Sequence, residues 1–226
     1  RPAIWHVTTG ALEPIRLELQ LTDSGIAFLT GVSLALFYVV LGFPISWLID
    51  RSNRRNIIAF CLVAWSIMTA FSGLSKNYIQ LLLSRIGVGI GEAGGTPGAN
   101  SIISDYFPQS KRPMALTIFS LGAPIGAWIG ADIAGLVNDH YNWRTVFLVL
   151  GIPGVFVGLL IFLTVREPRR GQLDKKGGDH KGASFPESMR FLWTQRSAVH
   201  VMAASALTAL WGWGLTLAGV LIAVLA

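Results

Sequence analysis

An all-α membrane protein is the fold class that the sequence predicts. Three observations carry it: 52% of the 226 residues are apolar against 13% charged, the mean hydropathy is +0.55, and uncharged runs of about twenty residues alternate with short polar or basic connections. Such a chain is counted in spans, not in globular domains. The formal net charge of +6 does not point to nucleic acid, because the basic residues fall between apolar runs and form no continuous basic face. Cys61 is the lone cysteine, inside an apolar run, so its expected role is packing. His6, His140 and His200 are isolated, with no HxxH, CxxC or HExxH spacing. No metal, no nucleophile elbow and no phosphate-cradling loop are therefore expected, and enzymatic chemistry has no residues to stand on.

Residues 1–12 are apolar but too short to cross a bilayer, and read as the end of a first helix whose start is missing. Residues 13–24 form a polar connection, in which Thr22, Asp23 and Ser24 are N-cap candidates. An uncharged span follows at 26–49 and stops at Asp50-Arg51-Ser52-Asn53-Arg54-Arg55. A second covers 57–75, ending at the minimal connection Lys76-Asn77. The third is expected as one helix over 78–104, followed by the basic loop 105–112. Pro113 suits the first turn of the next helix, where its missing N–H has no partner to lose. Spans at 113–138 and 145–165 flank a short aromatic turn, 139–144. Residues 166–196 are hydrophilic and glycine-containing and read as a linker, with a surface helix at 186–195. Apolar character returns at 197–226. The expected organisation is a bundle over 1–165 whose first helix is truncated, a linker over 166–196, and the start of a second bundle over 197–226.

Orientation follows from charge. Thirteen basic residues lie on the side of the loops at 50–56, 105–112 and 166–196, against three on the other side, Arg16, Lys76 and Arg144. The positive-inside rule makes the richer side cytoplasmic and, counting back, the N-terminus cytoplasmic as well.

The third span holds the chemistry. Its only charged side chains are Arg85 and Glu92, each of which costs about 2.5 to 3.5 kcal/mol at the centre of a spanning helix. Seven residues apart, they share a face within about 20° and lie about 10 Å apart along the axis. That is long for an ion pair and suits two charges lining one polar cavity. Glu92 is the candidate proton carrier, because burial favours the neutral carboxyl. Arg85 is the candidate for an anionic head group. A pair that merely pins helices is the alternative, but Gly87, Gly91 and Gly95, four residues apart, already offer a smooth packing stripe. Gly89, Gly91 and Gly94 match GxGxxG spacing, yet lack the strand and βαβ surroundings of a dinucleotide site. Asp132, in the fourth span, either adds a third group to the cavity or reaches the far interface. Thr30, Ser33 and Phe37 recur at helical spacing and, with Trp128, line a lipid-tail pocket or serve as packing.

Several motifs resemble the major facilitator superfamily. Gly42-Phe-Pro-Ile-Ser-Trp-Leu-Ile-Asp50-Arg51-Ser-Asn-Arg54-Arg55 is similar to its signature between helices two and three. Arg85-Ile-Gly-Val-Gly89 resembles its fourth-helix arginine motif, and Leu121-Gly-Ala-Pro124-Ile-Gly126 partly resembles its fifth-helix Gly-Pro motif, with Ile118 where an earlier glycine is usual. Within the superfamily, GVGIGEAGGTPGANSIISDYFPQSKR resembles the Spinster family, as do LEPIRLELQLTDSGIAFLTG and LTVREPRRG. The family usually has an Asp-Arg pair in its first helix, and no acidic residue occurs over 1–12.

The resemblance implies an N-terminal six-helix bundle plus the start of the C-terminal one. It implies a monomeric secondary transporter in a bacterial inner membrane, working by alternating access. The implied substrate is an amphipathic lipid such as a lysophospholipid or sphingosine 1-phosphate, with protons as coupling ion and no cofactor. Gly42, Asp50, Arg51, Arg54, Arg55, Asp105 and Arg112 are implied in gating, and Pro124 and Gly126 in helix packing. A drug or organic-anion exporter on the same scaffold, or a scaffold or receptor without flux, are the competing readings.

Overall fold

The first described helix is short, α1 (Leu12–Glu18). A computed structural model describes residues 12–173, 185–195 and isolated positions between 197 and 207. Readings for residues 1–11, 174–184 and 208–226 lie outside the described residues. The chain divides into two compact units, 1–177 and 178–226, and the regular elements among the described residues are all helices, with no strand.

Thr22 caps the next helix, accepting the Gly25 amide at 3.2 Å. That helix runs through α2 (Asp23–Ala27), a π turn at Phe28–Val32 and α3 (Ser33–Arg51). Asn53 caps α4 (Arg54–Gly73) by accepting from the Asn56 amide at 3.0 Å. At the start of α5 (Tyr78–Glu92), Asn77 accepts from the Gln80 amide while the Gln80 side chain reaches back to the Lys76 amide, which ties both ends of the first turn. Pro113 sits in the first turn of α7 (Arg112–His140). Asn142 caps α8 (Trp143–Thr164) through the Thr145 amide at 2.9 Å. In the second unit, α9 (Phe185–Thr194) falls where a surface helix was expected.

Four helical stretches are long and apolar enough to cross a membrane: 24–51, 54–73, 112–140 and 143–164. The expected single third helix is instead two, α5 and α6 (Gly95–Tyr106). Pro97 explains the break, because it has no N–H for the Ala93 carbonyl and its ring presses on that carbonyl. Ala93 and Gly94 keep right-handed dihedrals, so the chain continues onward without turning back.

The centre of the unit is α4, which packs against α5 on one side and α8 on the other. Glycine makes both contacts close. A Cβ added at Gly91 would lie 2.7 Å from the Trp65 Cβ, and one at Gly151 would lie 2.6 Å from the Ala70 amide nitrogen. No larger residue fits there without separating the helices.

At the end carrying α1, Ile15, Leu29, Leu81 and Trp143 form a buried cluster. Its polar edge is one carboxylate. Glu18 accepts from the Trp143 indole N–H and from the Arg144 guanidinium, each at 2.7 Å, and Arg144 also donates to the Ser75 carbonyl at 3.0 Å. The Arg144 hydrogen bond, then that of Trp143, holds the Glu18 carboxyl below its ordinary value of 4.5. A lowered folded-state value gives stability that is complete above the ordinary value and lost as pH falls through the lowered one. Glu18→Gln is therefore expected to lower stability by about 1 kcal/mol at neutral pH, as for a half-exposed pair. The gap in thermal midpoint between the two proteins should close progressively below about pH 4. A gap unchanged at acid pH would remove the ionised carboxylate from this account.

Candidate functional site

Arg85 and Glu92 stand on one helix, α5, two turns apart and separated by about 10 Å of axial rise. Arg85 is half-buried, and its guanidinium carbon lies 4.6 Å from the centroid of the Phe147 ring on α8. Neither Arg85 nor Glu92 forms a hydrogen bond to a described residue. No buried polar side-chain atom among the described residues lacks a partner, so the unpaired nitrogens of Arg85 are not fully enclosed. Glu92 lies on the surface of the bundle, one residue before the break between α5 and α6.

That break borders an open groove of about 430 Å³, lined by Tyr38, Val39, Gly42, Phe43 and Ser46 of α3 and by Ala93, Thr96, Pro97 and Asn100. The lining is apolar with a few hydroxyl and amide groups, the mixture that accepts an amphiphile. Gly87 of α5 and Gly95 of α6 face elsewhere: an added Cβ at each would meet Met68 and Trp65 of α4, respectively. Thus one side of α5 binds α4, while Glu92 stands away from that contact.

A second constellation lies at the end of the bundle where α3 meets α4. Arg54 is 2% exposed. Its guanidinium donates to Asp105 at 2.5 Å, to Glu167 at 2.7 Å, to the Ser101 hydroxyl at 3.0 Å and to the Pro168 carbonyl at 3.0 Å. The same Glu167 accepts the Arg55 amide at 2.9 Å, and so caps the first turn of α4. Arg170 donates to the carbonyls of Ile49, Asp50 and Ser52 at the end of α3, where a cation also meets the negative end of the helix dipole. Gly171 closes the loop: at a φ of 64° it donates its amide to Asp105 at 3.1 Å. The first residues after α8 are thus a strap fastened to the ends of α3, α4 and α6.

The other residues singled out from the sequence are spread more widely. Arg51 is exposed and stacks on Trp47 at 4.3 Å, and Arg55 stacks on Phe162 at 5.0 Å. The Asp50 side chain is exposed, while Arg112 donates to the Phe107 carbonyl. Gly42 lines the groove, and a Cβ there would meet nothing within 4 Å. Ser33 is fully buried with its hydroxyl on the Leu29 carbonyl, and the exposed Thr30 bonds Ile26 in the same way. Neither of them, nor the half-buried Phe37, belongs to the groove lining. Trp128, Asp132, Pro124 and Gly126 are all on the outer surface of α7, of which no residue is buried. Sequence reasoning missed Ser101, Glu167, Arg170 and the Glu18–Arg144 pair. The signals for the strap were the family resemblance of LTVREPRRG and the mixture of Glu167, Pro168 and Gly171 directly after a span.

A sequence profile described as Major Facilitator Superfamily matches residues 3–226. The chain belongs to the major facilitator superfamily, a class of multi-pass membrane transporters and not of enzymes. Within it, the Spinster resemblance holds. The crystal structure of a bacterial homologue of the human lysosomal transporter Spinster, inward-facing and unoccupied, is 39% identical with a TM-score of 0.69, over 85% of this chain and 46% of that one. The sphingosine-1-phosphate transporter of Danio rerio is 34% identical over 208 residues, 89% of this chain and 40% of its own length. An MFS-type efflux pump of Mycolicibacterium smegmatis is 32% identical over 153 residues, 68% of this chain and 36% of that protein. The chain therefore spans less than half the length of these relatives.

Proposed function

We propose that this chain supplies one bundle of a proton-coupled secondary transporter that moves an amphipathic lipid by alternating access. The observation that carries the reading is the pair Arg85 and Glu92: opposite charges on one face of α5, neither hydrogen-bonded to a described residue, with Glu92 one residue before the lining of a groove of mixed character. Arg85 stays charged under all working conditions and suits a phosphate or carboxylate. Glu92 can gain and lose a proton. Its charge then changes the relative free energy of the states that expose it to either side of the membrane, which shifts their populations. The groove lined by Tyr38, Phe43 and Thr96 suits the hydrocarbon of the substrate. Relatives named for sphingosine 1-phosphate support a lipid with an anionic head.

The cluster of Arg54, Asp105 and Glu167 acts as the cytoplasmic latch in this scheme, on the side that the positive-inside rule assigns. In this proposal the N-terminus is cytoplasmic and the membrane is a bacterial inner membrane. The second reading, an organic-anion or drug exporter, is favoured by relatives such as the probable L-galactonate transporter of Escherichia coli, 30% identical over 159 residues.

Flux into proteoliposomes separates them. With the full-length transporter and an imposed pH gradient, uptake of lysophosphatidylglycerol is expected, and uptake of galactonate is not. Flux of the sugar acid alone would select the second reading, and absence of both would leave a scaffold or receptor.

A further inference from the structure

Arg85 is held in place by a ring instead of a hydrogen bond. Phe147, whose face it covers at 4.6 Å, is itself constrained by Trp143 one turn earlier on α8. The two rings meet edge to face, centroids 6.0 Å apart and planes at 87°. Trp143 is 2% exposed, and its indole is pinned to Glu18 at 2.7 Å. The Arg144 guanidinium covers its ring at 4.2 Å. Cation, ring, ring and cation therefore run in unbroken contact from the surface of the bundle to the charged face of α5.

A guanidinium over a ring uses its flat face and keeps its N–H edge free. An acidic or carbonyl partner would fix Arg85 equally well but would occupy those donors. Here the guanidinium carbon sits over the ring and its N–H groups bond no described residue, as recognition of an anion by two parallel N–H bonds demands. We propose that Phe147 is a positioning residue for the anionic head group: its ring, locked by Trp143 and Glu18, orients the Arg85 fork toward the substrate. The inference rests on Arg85 being the head-group site, and it adds that the site discriminates by charge and plane.

Equilibrium binding to the purified full-length transporter tests it, with lysophosphatidylglycerol and the uncharged monoacylglycerol of the same chain length as paired probes. Phe147→Met keeps apolar bulk and removes the ring; it is expected to weaken the anionic probe about tenfold, the scale of one desolvated cation–ring contact, with the neutral probe unchanged. Phe147→Tyr is expected to retain both affinities. Arg85→Lys, which keeps the charge and loses the planar fork, should show the same selective loss and serves if Phe147→Met does not fold. Equal weakening of both probes by Phe147→Met, or full anion selectivity in Arg85→Lys, would overturn the positioning role. Selective loss in Arg85→Gln alone, with Phe147→Met unaffected, would overturn it too while leaving the head-group site standing. Unchanged anion binding in Arg85→Gln would remove that site and the inference together.

Discussion

Glu92→Gln is expected to lower proton-driven uptake by about two orders of magnitude, the lower end of what a well-placed proton carrier contributes, while downhill exchange of substrate across the membrane persists. Glutamine has nearly the shape of the carboxylic acid but neither releases nor binds a proton. It therefore fixes the site in its uncharged form, and the states linked by protonation lose their dependence on the pH gradient. The position of Glu92 makes the comparison clean. It lies on the surface of the bundle beside the break at Ala93–Gly94 and anchors no hydrogen bond among the described residues, so the exchange removes charge without removing a structural tie. The paired measurement is uptake under a pH gradient against counterflow without one. If Glu92→Gln accumulated lysophosphatidylglycerol as steeply as the parent, proton coupling would have to be sought elsewhere.

The second large effect is on stability. Arg54→Ala is expected to cost about 3 to 5 kcal/mol, because it leaves the buried Asp105 and the half-buried Glu167 without their cation. Asp105 is 7% exposed, and Glu167 also holds the first turn of α4 through Arg55, so neither can simply rotate into solvent. Arg54→Lys should fall between: its three donors on one point cannot reproduce the fork that reaches Asp105, Glu167, Ser101 and Pro168 together. Arg51→Ala is the control. Three residues away, exposed and stacked on Trp47, it should change stability by less than about 1 kcal/mol. The checks are the thermal midpoint in detergent and the rate of tryptic cleavage after Arg166, Arg169 and Arg170, which should rise as the strap loosens. Equal effects at 51 and 54 would show that the buried cluster is not what holds this end of the bundle.

The spans were legible because their determinant is local: a run of apolar residues of bilayer length needs no partner to be recognised. The same holds for the caps at Thr22 and Pro113. The break in the third span was legible in principle, since Gly94-Gly95-Thr96-Pro97 is a poor helix interior, but hydropathy averages over it. What composition cannot show is azimuth. Arg51, Arg54 and Arg55 look alike as topogenic charge, and only the direction in which α4 leaves its cap turns Arg54 inward while Arg51 stays on the surface. Long-range pairs were beyond reach for another reason. Glu167 meets Arg54 across 113 residues and Glu18 meets Arg144 across 126, and such partners are chosen by how the helices pack, not by any nearby pattern. Trp143 and Arg144 had been read as interfacial residues of a turn. Their contact with Glu18, and through Phe147 with Arg85, became visible only with the fold.

The strap also decides where this bundle can be cut. An expression boundary placed at Thr164, where the last span stops, would discard Glu167, Arg170 and Gly171 and leave the ends of three helices undone. A half-transporter meant for reassembly with a separately expressed second bundle should extend past Gln172, whose side chain still holds the Asp105 carbonyl at 3.0 Å. A flexible tether or reporter belongs after that point.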